Sequence, residues 1–296
     1  MIFDPDKMSW GHKFLNIPSI WDTINTQGEN VTVAVIDTGI DSTNPDLAGK
    51  IDDKSKNFTS NDNDFTDKDG HGTNMAGIIG ASGNYAVYGV APKANLVIVK
   101  AALSENNFDF DVFANAINYA ASIPEVDIVS ISYAFLINDP AVEKAIQNCI
   151  DEHKIVVASI GNGRNPYKPV DLDTYPACYN IPGPKVQKLA VGSFDENGNL
   201  CNYSNWNSQL SLLAPGELIK TTGLGNSVTL SKGTSPAAAF TSGCLALLLS
   251  YLKNSNSTID YVKMVLNSCD NANNFTVNSG YGRINLQKAI DKINES

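Results

Sequence analysis

The sequence predicts an α/β fold: an open, largely parallel central sheet with helices on both faces. Two observations predict it. Short apolar, β-branched runs alternate along the chain with segments whose apolar residues recur at helical spacing. A late segment, 241–252, is apolar almost all the way round, as a helix buried on most sides must be. No linker, internal repeat or low-complexity stretch interrupts the pattern, so residues 1–296 read as one domain.

The elements follow in order. Residues 31–36 are a continuous apolar run, the pattern of a parallel strand buried on both faces. Residues 73–81 read as a helix and 95–101 as the next strand. In 111–122, Phe113, Ala116, Ile117 and Ala120 share one helical face. Short buried-strand patterns return at 127–132 and 155–160, with a helix over 142–153 between them. Residues 188–194 and 210–214 read as later strands. The loop 52–69 is rich in Asn and Asp and reads as a solvated connection.

Composition narrows the function. The chain has 296 residues, 43% hydrophobic and 18% charged, which is ordinary for a globular domain. Its formal charge of −10 argues against nucleic-acid or anionic-membrane partners, which need clustered Lys and Arg. No wholly apolar run reaches the ~18 residues that span a bilayer, and the N-terminus shows no apolar core of a signal peptide. Cys149, Cys178, Cys201, Cys244 and Cys269 form no CxxC pair, and their odd number leaves at least one thiol free. Cys149 and Cys244 lie in apolar helical stretches and read as buried free thiols, which favours a reducing compartment.

Three segments carry candidate chemistry. Val33-Ala34-Val35-Ile36-Asp37-Thr38-Gly39 ends a buried strand on a carboxylate. Asp69-Gly70-His71-Gly72-Thr73 sets a histidine between glycines at a helix start. Gly233-Thr234-Ser235-Pro236-Ala237 sets a serine at the start of a buried helix. Taken singly, each has an ordinary reading: a helix cap, a structural histidine, another cap. All three sit where sites gather in parallel sheets, at strand carboxyl ends and helix starts.

Together these segments resemble the signature motifs of the subtilisin family, the subtilases, in the chain order Asp, His, Ser known for subtilisin. The resemblance runs from about Trp10 to Ala289 and includes Asn44-Pro45-Asp46-Leu47, Gly89-Val90-Ala91-Pro92 and Gly280-Tyr281-Gly282-Arg283-Ile284-Asn285. It implies the subtilisin-like three-layer form of the α/β class and a serine endopeptidase. It also implies roles: Ser235 as nucleophile, His71 as general base, Asp37 as the group that orients His71, and Asn162 as a side-chain donor to the oxyanion. Read as a turn residue before Gly163, Asn162 would need no such role. By the same resemblance Ser132, Tyr133 and Ala134 form one wall of the substrate cleft, Ser159, Ile160 and Gly161 the opposite wall, and Thr174 the floor. Asp46, with the loop 82–87, matches a structural calcium site, although the loop is short and poor in carboxylates. No cofactor is required for the chemistry.

Several positions depart from the family pattern. Ala134 and Phe135 stand where two glycines are usual, and Thr174 where the familiar bacterial enzymes have glycine. These changes predict a cleft that prefers small or medium apolar residues at P1 (the residue before the scissile bond). Asp171 and Asp173 offer the alternative of a basic P1. Pro236 replaces a common methionine, and Ala239-Phe240 replaces Pro-His. The expected partner is a protein or peptide substrate, and the expected state is a monomer. Three readings stand: a broad endopeptidase, a narrow processing protease, and a scaffold without turnover. Family precedent predicts secretion, while the cysteines favour the cytoplasm.

Overall fold

A computed structural model describes residues 3–104, 107–163, 171–182, 187–255 and 260–295. Two short helices, α1 (Trp10–Phe14) and α2 (Ile17–Ile24), precede the first strand, β1 (Thr32–Asp37). Then follow β2 (Lys56–Asn57), α3 (His71–Gly80), β3 (Asn95–Lys100), a small hairpin of β4 (Ala102–Ser104) and β5 (Asn107–Phe108), and α4 (Phe110–Ser122). The chain continues through β6 (Ile128–Ile131), α5 (Pro140–Asp151), β7 (Ile155–Ser159), β8 (Lys188–Phe194) and β9 (Leu212–Pro215). It closes with the hairpin β10 (Ile219–Thr222) and β11 (Val228–Ser231), then α6 (Thr234–Ser255), α7 (Tyr261–Ser268) and α8 (Leu286–Asn294).

Seven strands form one sheet in the order β2-β3-β1-β6-β7-β8-β9, every pairing parallel. Side chains alternate across it. Val33, Val35, Leu96, Ile98, Val157 and Val191 join the core beneath α3 and α6. Ala34, Ile36, Val97, Val99, Val129 and Val156 face α4 and α5. Because both faces are covered, the strands carry no polar alternation, which is why they read as continuous apolar runs. Each such Val or Ile contributes about 1.5–3 kcal/mol by leaving water. The three-layer α/β class is thus what the chain adopts.

Local sequence sets the helix starts. Asp109 caps α4 by accepting from Val112 N–H, and Asp139 caps α5 by accepting from Ala141 and Val142, with Pro140 just inside. Removing either cap costs about 1 kcal/mol. The long apolar helix α6 starts at Thr234, so Ser235 and Pro236 lie in its first turn and the apolar segment 241–252 is its interior. Its segment Thr234–Lys253 is long and apolar enough to cross a membrane by composition, but 89% of that window is buried in the fold. Phe240 of α6 packs its ring on His12 of α1, 5.4 Å between centroids. All five cysteines are buried and unbridged.

The expected solvated loop 52–69 is not uniformly so. Asn57 and Asp67 are buried. Asn57 donates its amide to Ser60 Oγ, Asp62 Oδ1 and the Asp64 carbonyl, closing the loop on itself.

Candidate active site

The carboxyl ends of β1, β6 and β7 lie side by side in the sheet, and α3 and α6 begin beside them. One cleft there is lined by His71, Ser132, Tyr133, Gly161, Asn162 and Ser235, among others. Four separate chain segments therefore meet in one place.

Asp37 ends β1 and is 1% exposed. Its Oδ1 accepts from Thr38 N–H and lies 2.7 Å from His71 Nδ1. The approach needs glycine at 72: a Cβ there would sit 2.2 Å from the Gly39 carbonyl oxygen and 3.2 Å from Asp37 Cβ. His71 is 7% exposed, and the Tyr133 ring meets it edge-on at 5.9 Å.

The turn that delivers His71 is organised by Asp67, a buried residue of the Asn- and Asp-rich loop 52–69. Its Oδ1 accepts from Thr38 Oγ1, Asp69 N–H and Gly70 N–H; its Oδ2 accepts from Thr73 N–H and Oγ1. Burial opposes the charge on Asp67, but the bonds from Gly70, Thr73 and Thr38 outweigh it and hold the carboxyl below its usual range. Lys100, the register partner of Asp37 on β3, is buried and donates to the Thr38 and Thr66 carbonyls. The available signal for Asp67 was its place four residues before His71, with Gly70 between, at a helix entry.

Ser235 is the second residue of α6. Its Oγ donates to the Ser132 carbonyl at 3.0 Å, and Ser132 Oγ donates back to the Ser235 carbonyl at 3.1 Å. Asn162 is exposed just beyond β7. Its Oδ1 accepts from Thr234 N–H at 2.9 Å and from Thr234 Oγ1 at 3.2 Å, while Gly161 N–H donates to that same hydroxyl. With its oxygen committed to Thr234, Asn162 has its Nδ2 amide to offer a ligand.

The sequence profile of the subtilase family matches residues 28–283. The chain belongs to the subtilase family. It is a serine endopeptidase by that membership. It is 37% identical over 256 residues to the "Major intracellular serine protease" of Bacillus subtilis (strain 168), covering 84% of this chain and 77% of that protein. It is 34% identical over 243 residues to the "Intracellular serine protease" of Paenibacillus polymyxa, covering 80% and 72%. It is 29% identical over 283 residues to "Thermitase" of Thermoactinomyces vulgaris, covering 95% of each.

In this subtilase the expected wall residues meet around Gly161, whose φ of +89° suits glycine. A Cβ on Gly161 would lie 3.0 Å from the Ala134 methyl and 3.1 Å from Thr174 Oγ1. Thr174 Oγ1 donates to the Ile160 carbonyl at 2.5 Å, and Ser159 Oγ donates to the Tyr133 carbonyl, so the two walls are stitched together. Phe135 corrects the expectation that it adds bulk to the cleft. It is 8% exposed and turns into an aromatic cluster with Phe108, Phe110 and Phe113. Asp171 and Asp173 are exposed and do not line the cleft, and Asp173 accepts from Asn207. Ile160 and Thr174, expected in the wall and floor, are buried and do not line it either. Asp46 lies beyond the far end of α3 from His71, against the loop 82–88.

Proposed function

We propose that this subtilase is an intracellular endopeptidase that cuts after small P1 residues, with Asp37, His71 and Ser235 as its triad and Asn162 as oxyanion donor. The observation that carries the proposal is the 2.7 Å contact of Asp37 Oδ1 with His71 Nδ1, in the same cleft as Ser235. Ser235 Oγ attacks the scissile carbonyl carbon and passes its proton to His71 Nε2. Asp37, on the other ring nitrogen, fixes the tautomer and stabilises the imidazolium. The carbonyl oxygen becomes an oxyanion that accepts from Asn162 Nδ2 and Ser235 N–H at the start of α6. The tetrahedral adduct collapses, the C–N bond breaks, and His71 gives its proton to the departing amine. Water, activated by His71, then cleaves the acyl ester.

Small P1 residues are supported by the Ala134 methyl, which lines the cleft and lies 3.0 Å from where a Cβ on Gly161 would be. Thr174 is buried beside it with its hydroxyl on the Ile160 carbonyl. Action inside the cell is supported by two relatives whose names carry the word "intracellular", and by five buried, unbridged cysteines. The expectation of secretion finds no support in these comparisons. Digestion of a proteome-derived peptide library, read by mass spectrometry, tests the reading. Cleavage after Gly, Ala and Ser supports it, and equal or better cleavage after Phe, Tyr and Leu overturns it.

A further inference from the structure

The loop 82–88, which leaves the end of α3, is where the family resemblance puts a calcium ion, with Asp46 as its carboxylate ligand. The donors in this chain do not fit a cation there. Asp46 is 1% exposed, and its Oδ1 accepts from Tyr85 N–H at 2.7 Å. Its Oδ2 accepts from Ala86 N–H at 2.8 Å and Val87 N–H at 2.9 Å. Three successive N–H groups thus converge on one carboxylate, as in a backbone nest that binds an anion. Calcium instead needs six to eight oxygens aimed at it.

Two carbonyls of the loop, and that of Asp46 itself, already accept hydrogen bonds. The Val87 carbonyl accepts from Gly83 N–H, and the Asp46 carbonyl accepts from Ser82 N–H. The Gly83 carbonyl accepts from the Lys7 ammonium at 2.8 Å. Among the described residues, no cluster of three or more His, Cys, Asp or Glu could hold a metal.

We infer that this loop is a metal-free replacement for the calcium site: backbone N–H groups neutralise Asp46, and the Lys7 ammonium takes the outward carbonyl. The N-terminal segment is part of the device. Tyr88 N–H donates to the Lys7 carbonyl, and the Tyr88 ring packs on Phe3 at 6.0 Å and Trp21 at 5.7 Å. A loop wrapped around an ion is held by the ion; this one is held by a strap of the same chain. Its integrity depends on Asp46 and Lys7, and is indifferent to calcium.

The test uses the full chain carrying Ser235→Ala, which prevents self-digestion and makes the result independent of the peptidase reading. Thermal unfolding is compared in millimolar calcium chloride and in EDTA. The expected Tm is the same in both to within about 1 °C, because an ion that binds neither state shifts nothing. Adding Asp46→Asn lowers Tm by about 5–10 °C equally in both buffers, since an amide cannot accept from all three N–H groups. Lys7→Met leaves the buried carboxylate in place, so it folds even if Asp46→Asn does not. It speeds hydrogen exchange across 83–88, and calcium does not restore protection. A calcium-induced rise in Tm of about 10 °C that Asp46→Asn abolishes would overturn the inference. So would unchanged exchange in Lys7→Met.

Discussion

The Asn162 side-chain oxygen accepts two hydrogen bonds from Thr234, the residue directly before Ser235. The proposed oxyanion donor is therefore anchored to the segment that carries the proposed nucleophile, and its amide is aimed by that anchor. Thr234→Val keeps the shape and the backbone N–H but removes the hydroxyl that links Asn162 to Gly161. It is expected to lower kcat about 10-fold with little change in KM, because the lost order matters when the oxyanion forms. Steady-state kinetics on one small-P1 peptide check it.

Asn162→Ala removes the proposed donor itself. A loss of about 10²–10³ in kcat is expected, the size known for the equivalent change in subtilisin. Equal kinetics in Asn162→Ala and the parent would show that the oxyanion is held elsewhere.

Asp67→Asn is expected to reduce both stability and activity. The bonds that hold the Asp67 carboxyl below its usual range favour its charged form in the fold. That stability is present above the unfolded carboxyl's pKa and is lost as pH falls through the lower, folded value. The variant should unfold at a lower temperature near neutral pH, and the difference should shrink in acid. Calorimetry over a pH series reads it.

His12 supplies a second acid sensitivity of opposite chemistry. It is fully buried, and burial pushes its pKa down to about 4 from 6.5. The unfolded chain takes up a proton below pH 6.5 that the fold refuses until about pH 4, so stability is full above 6.5 and falls between the two values. The loss is at most about 3 kcal/mol. His12 Nδ1 lies 2.8 Å from Ser9 Oγ; His12→Gln, which can still bond Ser9, should flatten the change of Tm across that window.

Ala134→Gly with Thr174→Gly removes two of the three groups nearest a Cβ position at Gly161, leaving the Asn205 amide. Cleavage after Phe or Leu is expected to rise about 10-fold relative to cleavage after Ala, as one or two methyl-sized groups are worth that much in a pocket.

Much of this molecule is readable from its residues. The parallel strands show as apolar runs because helices cover both faces; Asp37 stands out because it ends such a run on a carboxylate, and His71 and Ser235 because they stand at helix starts beside glycines. Other features were hidden for physical reasons. Asp67 lies among exposed Asp and Asn residues, and only the fold reveals that its partners are Thr38, Gly70 and Thr73. The hairpin β10–β11 is short and alternates exposed Val228 and Leu230 with half-buried Thr229 and Ser231, too brief a signal to separate from loop. The family pattern sets Phe135 beside the cleft with Ala134, but successive strand-like residues point to opposite sides, and its ring packs on Phe110 and Phe113 instead.

The most direct measurement of the central claim is covalent labelling with a fluorophosphonate, comparing the parent with Ser235→Ala and Asp37→Asn. The account predicts stoichiometric labelling at Ser235 in the parent, none in Ser235→Ala, and labelling slowed by about 10⁴ in Asp37→Asn, the size known for loss of a triad aspartate. A correctly folded parent that fails to label, or labels equally without Ser235, would contradict it.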